Sequence, residues 1–118
     1  MTPCELLICA EDAMVNSYSP YSGFSVGAAL ITADGRVYKG CNIENSAFSP
    51  TICAERTAFF KAISEGENDF EAIAIVGKYK NGEYKHLCYP CGVCRQVMEE
   101  FCGGDFKIIL GDGKGEYE

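Results

Sequence analysis

Residues 25–43 read SVGAALITADGRVYKGCNI, and the fold turns on how they are read. Ser25 to Thr32 is an apolar run of strand length. Asp34-Gly35 carries a hairpin signal, and Val37 to Ile43 runs back as the partner strand. A hairpin this early in the chain predicts that a sheet organises the remaining elements.

On the N-terminal side, Thr2 can cap a helix, Pro3 suits its first turn and Glu5 completes a capping box. Leu6, Leu7, Ala10, Ala13 and Met14 then recur at helical spacing. NSYSPYSGF (16–24) breaks that helix with polar residues, Pro20 and Gly23. On the C-terminal side, ENSAFSP (44–50) reads as a loop. A helical pattern runs from about Thr51 to Glu65, with Gly66 placed to end it. Phe70 to Val76 is an apolar strand, followed by a polar loop with a turn at Asn81-Gly82. Cys91 to Cys102 reads as a third helix, stopped by Gly103-Gly104. Phe106 to Leu110 is a further strand. Asp112-Gly113 supports a tight reversal, after which the chain should return antiparallel. Strands alternating with helices predict an α/β fold, a three-layer α/β/α sandwich around one mixed sheet. The strand–helix–strand crossovers should be right-handed and join parallel strands.

The chain has 118 residues, nearly half of them apolar, which suits one domain with one core. No run of eighteen apolar residues is present, so no membrane span is expected. The start, MTPCELLICAEDAM, lacks a basic region and carries Glu5, Glu11 and Asp12, unlike a secretory leader. A formal net charge of −7 argues against a polynucleotide partner, because phosphate backbones are held by clustered Lys and Arg. A free nucleoside is easier to accept than a strand. Eight cysteines without a leader point to reduced thiols or metal ligands in a cytoplasmic protein rather than to a disulfide scaffold.

Three thiols and a carboxylate stand out: Cys53 and Glu55 in TICAERTAFF, Cys91 and Cys94 in YPCGVCRQVM. The helical patterns put Cys53 in the first turn of the second helix, and Cys91 and Cys94 on one face of the third. Both helix N-termini favour thiolate over thiol. Three protein ligands plus water is the arrangement of a catalytic zinc ion, and a carboxylate beside such water can take and return its proton. The pattern also matches the signature of zinc nucleobase deaminases in its three-cysteine form, in which the Glu is not a ligand. The residues leave a closed structural site open as an alternative. Cys88, Cys91 and Cys94 with Cys102 or Cys53 could hold a four-thiol zinc ion or an iron–sulfur cluster, and His86 could complete a zinc shell. Against it, Cys88 falls before the helix, and a closed shell leaves Glu55 without a role.

The wider sequence resembles the short-chain, zinc-dependent cytidine deaminases, from about Tyr18 to Phe101. The stretches that carry the resemblance are PYSGFSVGAAL, GCNIENSAFSPTICAERTAFFKAISEG and PCGVCRQVMEEF. It implies one Zn²⁺ per chain on Cys53, Cys91 and Cys94, with Glu55 as proton shuttle while a zinc-bound hydroxide attacks C4. It implies that Asn42 and Glu44 hold the ribose hydroxyls, that Phe24 packs against the pyrimidine, and that the backbone around Ala54 helps read the base. Arg56 resembles the family residue that hydrogen-bonds to the zinc thiolates; it would draw charge off sulfur. The implied reaction converts cytidine and 2′-deoxycytidine to uridine and 2′-deoxyuridine in pyrimidine salvage, in a homotetramer with sites at subunit interfaces. Family members usually continue past the equivalent of Glu118 into a further strand and a C-terminal segment, so 1–118 is expected to be a single domain without that segment.

Plainer readings stand beside these. Arg56 could form a surface salt bridge, Phe24 could be core, and Asn42 with Glu44 could be a turn pair. The stripe Phe59, Phe60, Ile63 reads as core or subunit contact. Cys4, Cys9, Cys41 and Cys102 read as small apolar or idle thiols. Rival functions are deamination of a related base or antibiotic such as blasticidin S, a non-catalytic Cys₄ module, and polynucleotide editing.

Overall fold

The computed structural model describes residues 2–47, 51–80, 82–85, 92–103 and 106–111. Expectations for His86, Cys88, Cys91, Asn81, Gly104 and the reversal at Asp112-Gly113 fall outside them. Helix α1 spans Pro3–Ala13 behind the expected capping box: the Glu5 N–H donates to Thr2 Oγ1 at 3.2 Å, and the Thr2 N–H donates to Glu5 Oε1 at 2.9 Å. Strand β1 (Phe24–Thr32) and strand β2 (Val37–Cys41) form the predicted antiparallel hairpin, with Leu30 opposite Tyr38 and Gly27 opposite Cys41. Gly35 takes a φ of 91° in its turn, a conformation glycine adopts without cost. Helix α2 (Ala54–Ser64), strand β3 (Phe70–Tyr79), the short strand β4 (Tyr84–Lys85), helix α3 (Gly92–Phe101) and strand β5 (Lys107–Leu110) complete the order.

The strands form one mixed sheet. β1 lies between β2 and β3 and is antiparallel to both. The other edge of β3 is shared: β5 runs parallel beside Ala72 to Ile75, and β4 runs antiparallel beside Gly77 and Lys78. β2 and β3 therefore run parallel, as do β3 and β5, so each helical crossover joins parallel strands as expected.

Side-chain alternation assigns the two faces. Ala28, Leu30, Ile73 and Ile75 pack with Ala54, Ala58, Phe59 and Ala62 of α2 and with Cys94 and Met98 of α3. Ala29, Ile31, Ala72, Ala74 and Val76 pack with Leu6, Leu7 and Ala10 of α1. The result is the expected three layers. The central strands are apolar on both faces, which is why they read as continuous apolar runs. Phe59 anchors the α2 side, fully buried and edge-on to Phe70 at 5.2 Å, whereas its neighbour Phe60 is exposed.

Two glycines set the spacing of the layers. A Cβ on Gly27 would lie 1.9 Å from the Ala10 carbonyl oxygen of α1. A Cβ on Gly40 would lie 2.4 Å from the Ala54 carbonyl oxygen and 2.6 Å from the Ala58 nitrogen of α2. Each helix thus rests directly on strand backbone.

The elements differ from expectation mainly at their ends. α2 starts at Ala54, not near Thr51, because Ile52 is held extended: its N–H donates to the Ile43 carbonyl at 2.9 Å and its carbonyl accepts from the Ile43 N–H at 3.0 Å. β1 begins one residue earlier than expected, at Phe24, and β3 continues to Tyr79. β4 lies in the stretch expected to be loop; two residues are too few for an alternation pattern to reveal.

Candidate metal and catalytic site

Cys53 is the N-cap of α2, with φ −79° and ψ 155°, rather than a member of its first turn. Its side chain makes no capping bond, so the sulfur points elsewhere. Thr57 locks this start in place. Its Oγ1 lies 3.1 Å from the Cys53 carbonyl and 3.0 Å from the Cys41 carbonyl at the end of β2. Cys94 lies in the first turn of α3 and is fully buried. Both sulfurs therefore stand at helix N-termini, where backbone dipoles favour negative charge.

Arg56 connects the two. Its guanidinium donates to Cys53 Sγ at 3.5 Å and also hydrogen-bonds to Cys94. These contacts push the guanidinium above its ordinary value, with the Cys53 bond as the largest cause. Among the described residues its Nε is buried without a hydrogen-bond partner, and the guanidinium forms no salt bridge.

Glu55 is a buried carboxyl, 4% exposed. Burial is the main reason its pKa is pushed up to about 6; the Cys53 charge adds to this, while its own backbone N–H, the Cys94 side chain and Arg56 pull the other way. A carboxyl that is dry, close to neutrality in its titration and touching a thiol is equipped to gain and lose a proton.

The donor set fits a thiophilic cation. A neutral thiol is a poor acceptor, yet one guanidinium is aimed at two sulfurs, which suits a thiolate pair. Among the described residues no group of three His, Cys, Asp or Glu side chains forms a metal cluster. Cys53 and Cys94 are brought together; Cys91, the third expected ligand, lies outside the described residues. Cys102 sits eight residues beyond Cys94, just past the end of α3, roughly 12 Å away at helical rise and too far to share an ion with it. Its thiol is pushed up to about 11 by burial alone.

Asn42 and Glu44 flank Ile43, which is stitched on both sides. Ile52, next to Cys53, bonds Ile43 itself, while Tyr18 bonds the Asn42 carbonyl at 3.1 Å and the Glu44 N–H at 2.8 Å. The pair therefore sits directly beside the start of α2. Both side chains turn toward the 17–26 segment. Asn42 Nδ2 donates to the Phe24 carbonyl at 2.8 Å, and its Oδ1 accepts from the Val26 N–H at 2.9 Å and from the Ser17 hydroxyl. Glu44 Oε1 accepts from the N–H groups of Tyr21 and Ser22 at 3.0 and 3.1 Å, and Oε2 accepts from the Ser22 hydroxyl. Desolvation opposes ionisation of Glu44, but the Ser22 and Tyr21 donors outweigh it and hold the carboxyl below its ordinary range. Phe24 is half-buried, with its ring 4.8 Å from that of Tyr79. Ala54 is fully buried under Gly40.

Sequence reasoning misses Ser17, Ser22, Thr57 and Tyr79. NSYSPYSGF reads only as a helix breaker, and no periodic signal marks a hydroxyl that bonds a residue twenty or more positions away.

The model of the cytidine and deoxycytidylate deaminase zinc-binding region matches residues 2–110. A cytidine deaminase of Sporosarcina psychrophila is 49% identical over 114 residues, covering 97% of this chain and 80% of that protein. One from Halalkalibacterium halodurans is 50% identical over 109 residues, covering 92% of this chain and 79% of that protein. The crystal structure of cytidine deaminase from Burkholderia pseudomallei superposes with a TM-score of 0.88 at 42% identity, covering 100% of this chain and 91% of that one.

Proposed function

The chain belongs to the cytidine and deoxycytidylate deaminase family, and from that membership we propose that it hydrolyses free cytidine and 2′-deoxycytidine to uridine and 2′-deoxyuridine. Water supplies the oxygen that ends on C4, and the amino group leaves as ammonia. Cys53, Cys91 and Cys94 hold one Zn²⁺ per chain. When bound, the zinc ion supplies the Lewis acidity that makes water nucleophilic at neutral pH.

The remaining work falls to this chain's side chains. The Glu55 carboxylate takes a proton from the attacking water and passes it to ring N3, then takes the second proton of that water, now on the C4 hydroxyl, and delivers it to the amino nitrogen as the C4–N bond breaks. Arg56 draws charge from the Cys53 and Cys94 sulfurs. Asn42 and Glu44 bind the sugar hydroxyls: Asn42 has a second amide hydrogen beyond the one given to Phe24, and Glu44 has one lone pair beyond the three already engaged. Phe24 packs on the pyrimidine, and the backbone around Ala54 reads its edge.

The observation that carries this reading is the buried Glu55 carboxyl beside two thiols that share one arginine. A structural staple gains nothing from a dry carboxyl, whereas proton transfer does. The test is ammonia release from cytidine by the purified chain at known zinc content. Turnover that disappears on chelation is expected; no turnover with one zinc bound per chain would overturn the reading.

The rest of the reading is a single domain over 1–118, acting in the cytoplasm in pyrimidine salvage as a homotetramer with sites at subunit interfaces. No described helix is long and apolar enough to cross a membrane. Ile8, Val15, Tyr18, Tyr21 and Phe60 are exposed apolar side chains available for subunit contacts. The charge of −7 speaks against a polynucleotide substrate. Light scattering of the zinc-loaded protein should give four chains; a monomer that turns over would refute the assembly.

A further inference from the structure

One hydroxyl ties together two of the residues assigned to the nucleoside. Ser22 Oγ donates to Glu44 Oε2 and accepts from the Phe24 N–H at 3.1 Å. The Ser22 N–H donates to the other oxygen of the same carboxylate at 3.1 Å, beside that of Tyr21 at 3.0 Å. Gly23, at φ 69°, turns the chain so that a hydroxyl at position 22 reaches the N–H two residues on. Phe24 is thus gripped at both ends of its peptide, its N–H by Ser22 and its carbonyl by Asn42 at 2.8 Å. Glu44, Ser22, Phe24 and Asn42 form a connected chain of bonds that joins the first residue of β1 to the segment after β2.

Ser22 is exposed, and a hydroxyl in contact with water adds little net stability by exchanging water for protein partners. What two simultaneous bonds do provide is geometry. With three donors on it, the Glu44 carboxylate is confined to one orientation, which leaves its one free lone pair, on Oε2, aimed in one direction.

We propose that Ser22 is a positioning residue for nucleoside recognition: its hydroxyl orients the Glu44 carboxylate toward the sugar and fixes that carboxylate relative to the Phe24 backbone. This rests on the reading of Glu44 as a sugar contact. Ser22 touches no reacting atom, so its removal acts on binding of the sugar hydroxyls and not on proton transfer at the base.

The test compares cytidine with 2′,3′-dideoxycytidine, which lacks both ring hydroxyls, using zinc-loaded wild type, Ser22→Ala, Ser22→Thr and Glu44→Ala. Ser22→Ala should lower the cytidine-to-dideoxycytidine ratio of kcat/KM about ten-fold, through KM, with kcat on cytidine within about two-fold. Ser22→Thr, which keeps the hydroxyl, should hold the ratio near wild type. Glu44→Ala should lower the ratio further than Ser22→Ala does, with Asn42 keeping the remainder of the preference. An unchanged ratio in Ser22→Ala beside a fallen ratio in Glu44→Ala sinks the role of Ser22 and leaves the sugar contact standing. An unchanged ratio in Glu44→Ala sinks the sugar contact and the inference with it. Equal loss on both nucleosides in Ser22→Ala, or a fallen ratio in Ser22→Thr, also overturns it.

Discussion

Replacing Gly40 by Ala inserts a single methyl where α2 rests on β2. Its Cβ would stand 2.4 Å from the Ala54 carbonyl oxygen, 2.6 Å from the Ala58 nitrogen and 3.1 Å from Ala58 Cα. Ordinary contact begins near 3.4 Å, so the start of α2 must retreat by about 1 Å. The obstructing atoms are backbone and cannot rotate away, so the cost belongs near the top of the roughly 1–3 kcal/mol range for overpacking. For a chain of this size that is a fall in melting midpoint of about 10 °C. The retreating turn carries Cys53, Ala54 and Glu55, and a displacement of about 1 Å at reacting groups can remove about 100-fold of activity. Gly27→Ala is the matched control. Its Cβ would lie even closer to backbone, 1.9 Å from the Ala10 oxygen, but it displaces α1, on the opposite face of the sheet. Both variants should lose comparable stability, measured by thermal and urea melts. At 25 °C, below both midpoints, only Gly40→Ala should lose most of its kcat/KM on cytidine per bound zinc. Equal specific activity in the two variants would show that the α2–β2 contact does not position the site.

Glu55→Gln should retain one zinc per chain and lose at least 100-fold in kcat, measured by ammonia release; retained turnover removes Glu55 from proton transfer. The same variant, stripped of metal with a chelator, should unfold at higher urea than wild type, because a buried charge has been replaced by an amide. Arg56→Ala should weaken zinc binding about 10- to 100-fold in competition with a chromophoric chelator, and Arg56→Lys should recover only part of it, since an ammonium lacks the planar fork that reaches two sulfurs. Phe59→Ala, emptying a fully buried site between Phe70 and Phe106, should cost about 3–5 kcal/mol in urea unfolding.

The legible parts of the sequence are those where one local rule acts alone. The Thr2–Glu5 capping box, the Asp34-Gly35 hairpin and the paired apolar strands need only neighbours in sequence, and each forms as expected. The helical pattern runs three residues too far at the start of α2 and takes in Cys53, because Ile52 answers to Ile43 across the fold rather than to the residues around it. β4 escapes for the same reason; two residues gain their strand character only from the edge of β3. The thiols and Glu55 can be singled out because their spacing is a chemical constraint, and Arg56 only through the family resemblance. Ser22, Ser17 and Thr57 cannot, since their partners lie sixteen to twenty-five residues away and serine and threonine are common in loops.

The two faces of the sheet divide stability from chemistry. On the α1 side Leu6, Leu7 and Ala10 pack on Ala29, Ile31, Ala72, Ala74 and Val76, and Gly27 brings the helix down onto the sheet. On the α2–α3 side the same kind of packing encloses Cys94 among Ala58, Phe59 and Met98, while Glu55 is buried in the same helix turn as Ala54. That face accepts a cost the other avoids: a carboxyl whose proton affinity is raised because water has been removed. The apolar residues of α2 are therefore part of the chemistry, because they keep the Glu55 environment dry. The cost is tolerable because it falls at helix N-termini, where the Glu55 backbone N–H and the nearby Arg56 both oppose it. Polar demand is met on the other side of the site by the loop-borne Ser17 and Ser22, whose hydroxyls bond Asn42 and Glu44. The dry and wet halves meet at Ile43 and Ile52, whose two backbone bonds set Asn42 and Glu44 beside Cys53. A change that loosens this bridge should therefore disturb sugar recognition and thiol placement together, whereas a change in Ser22 should disturb the first alone.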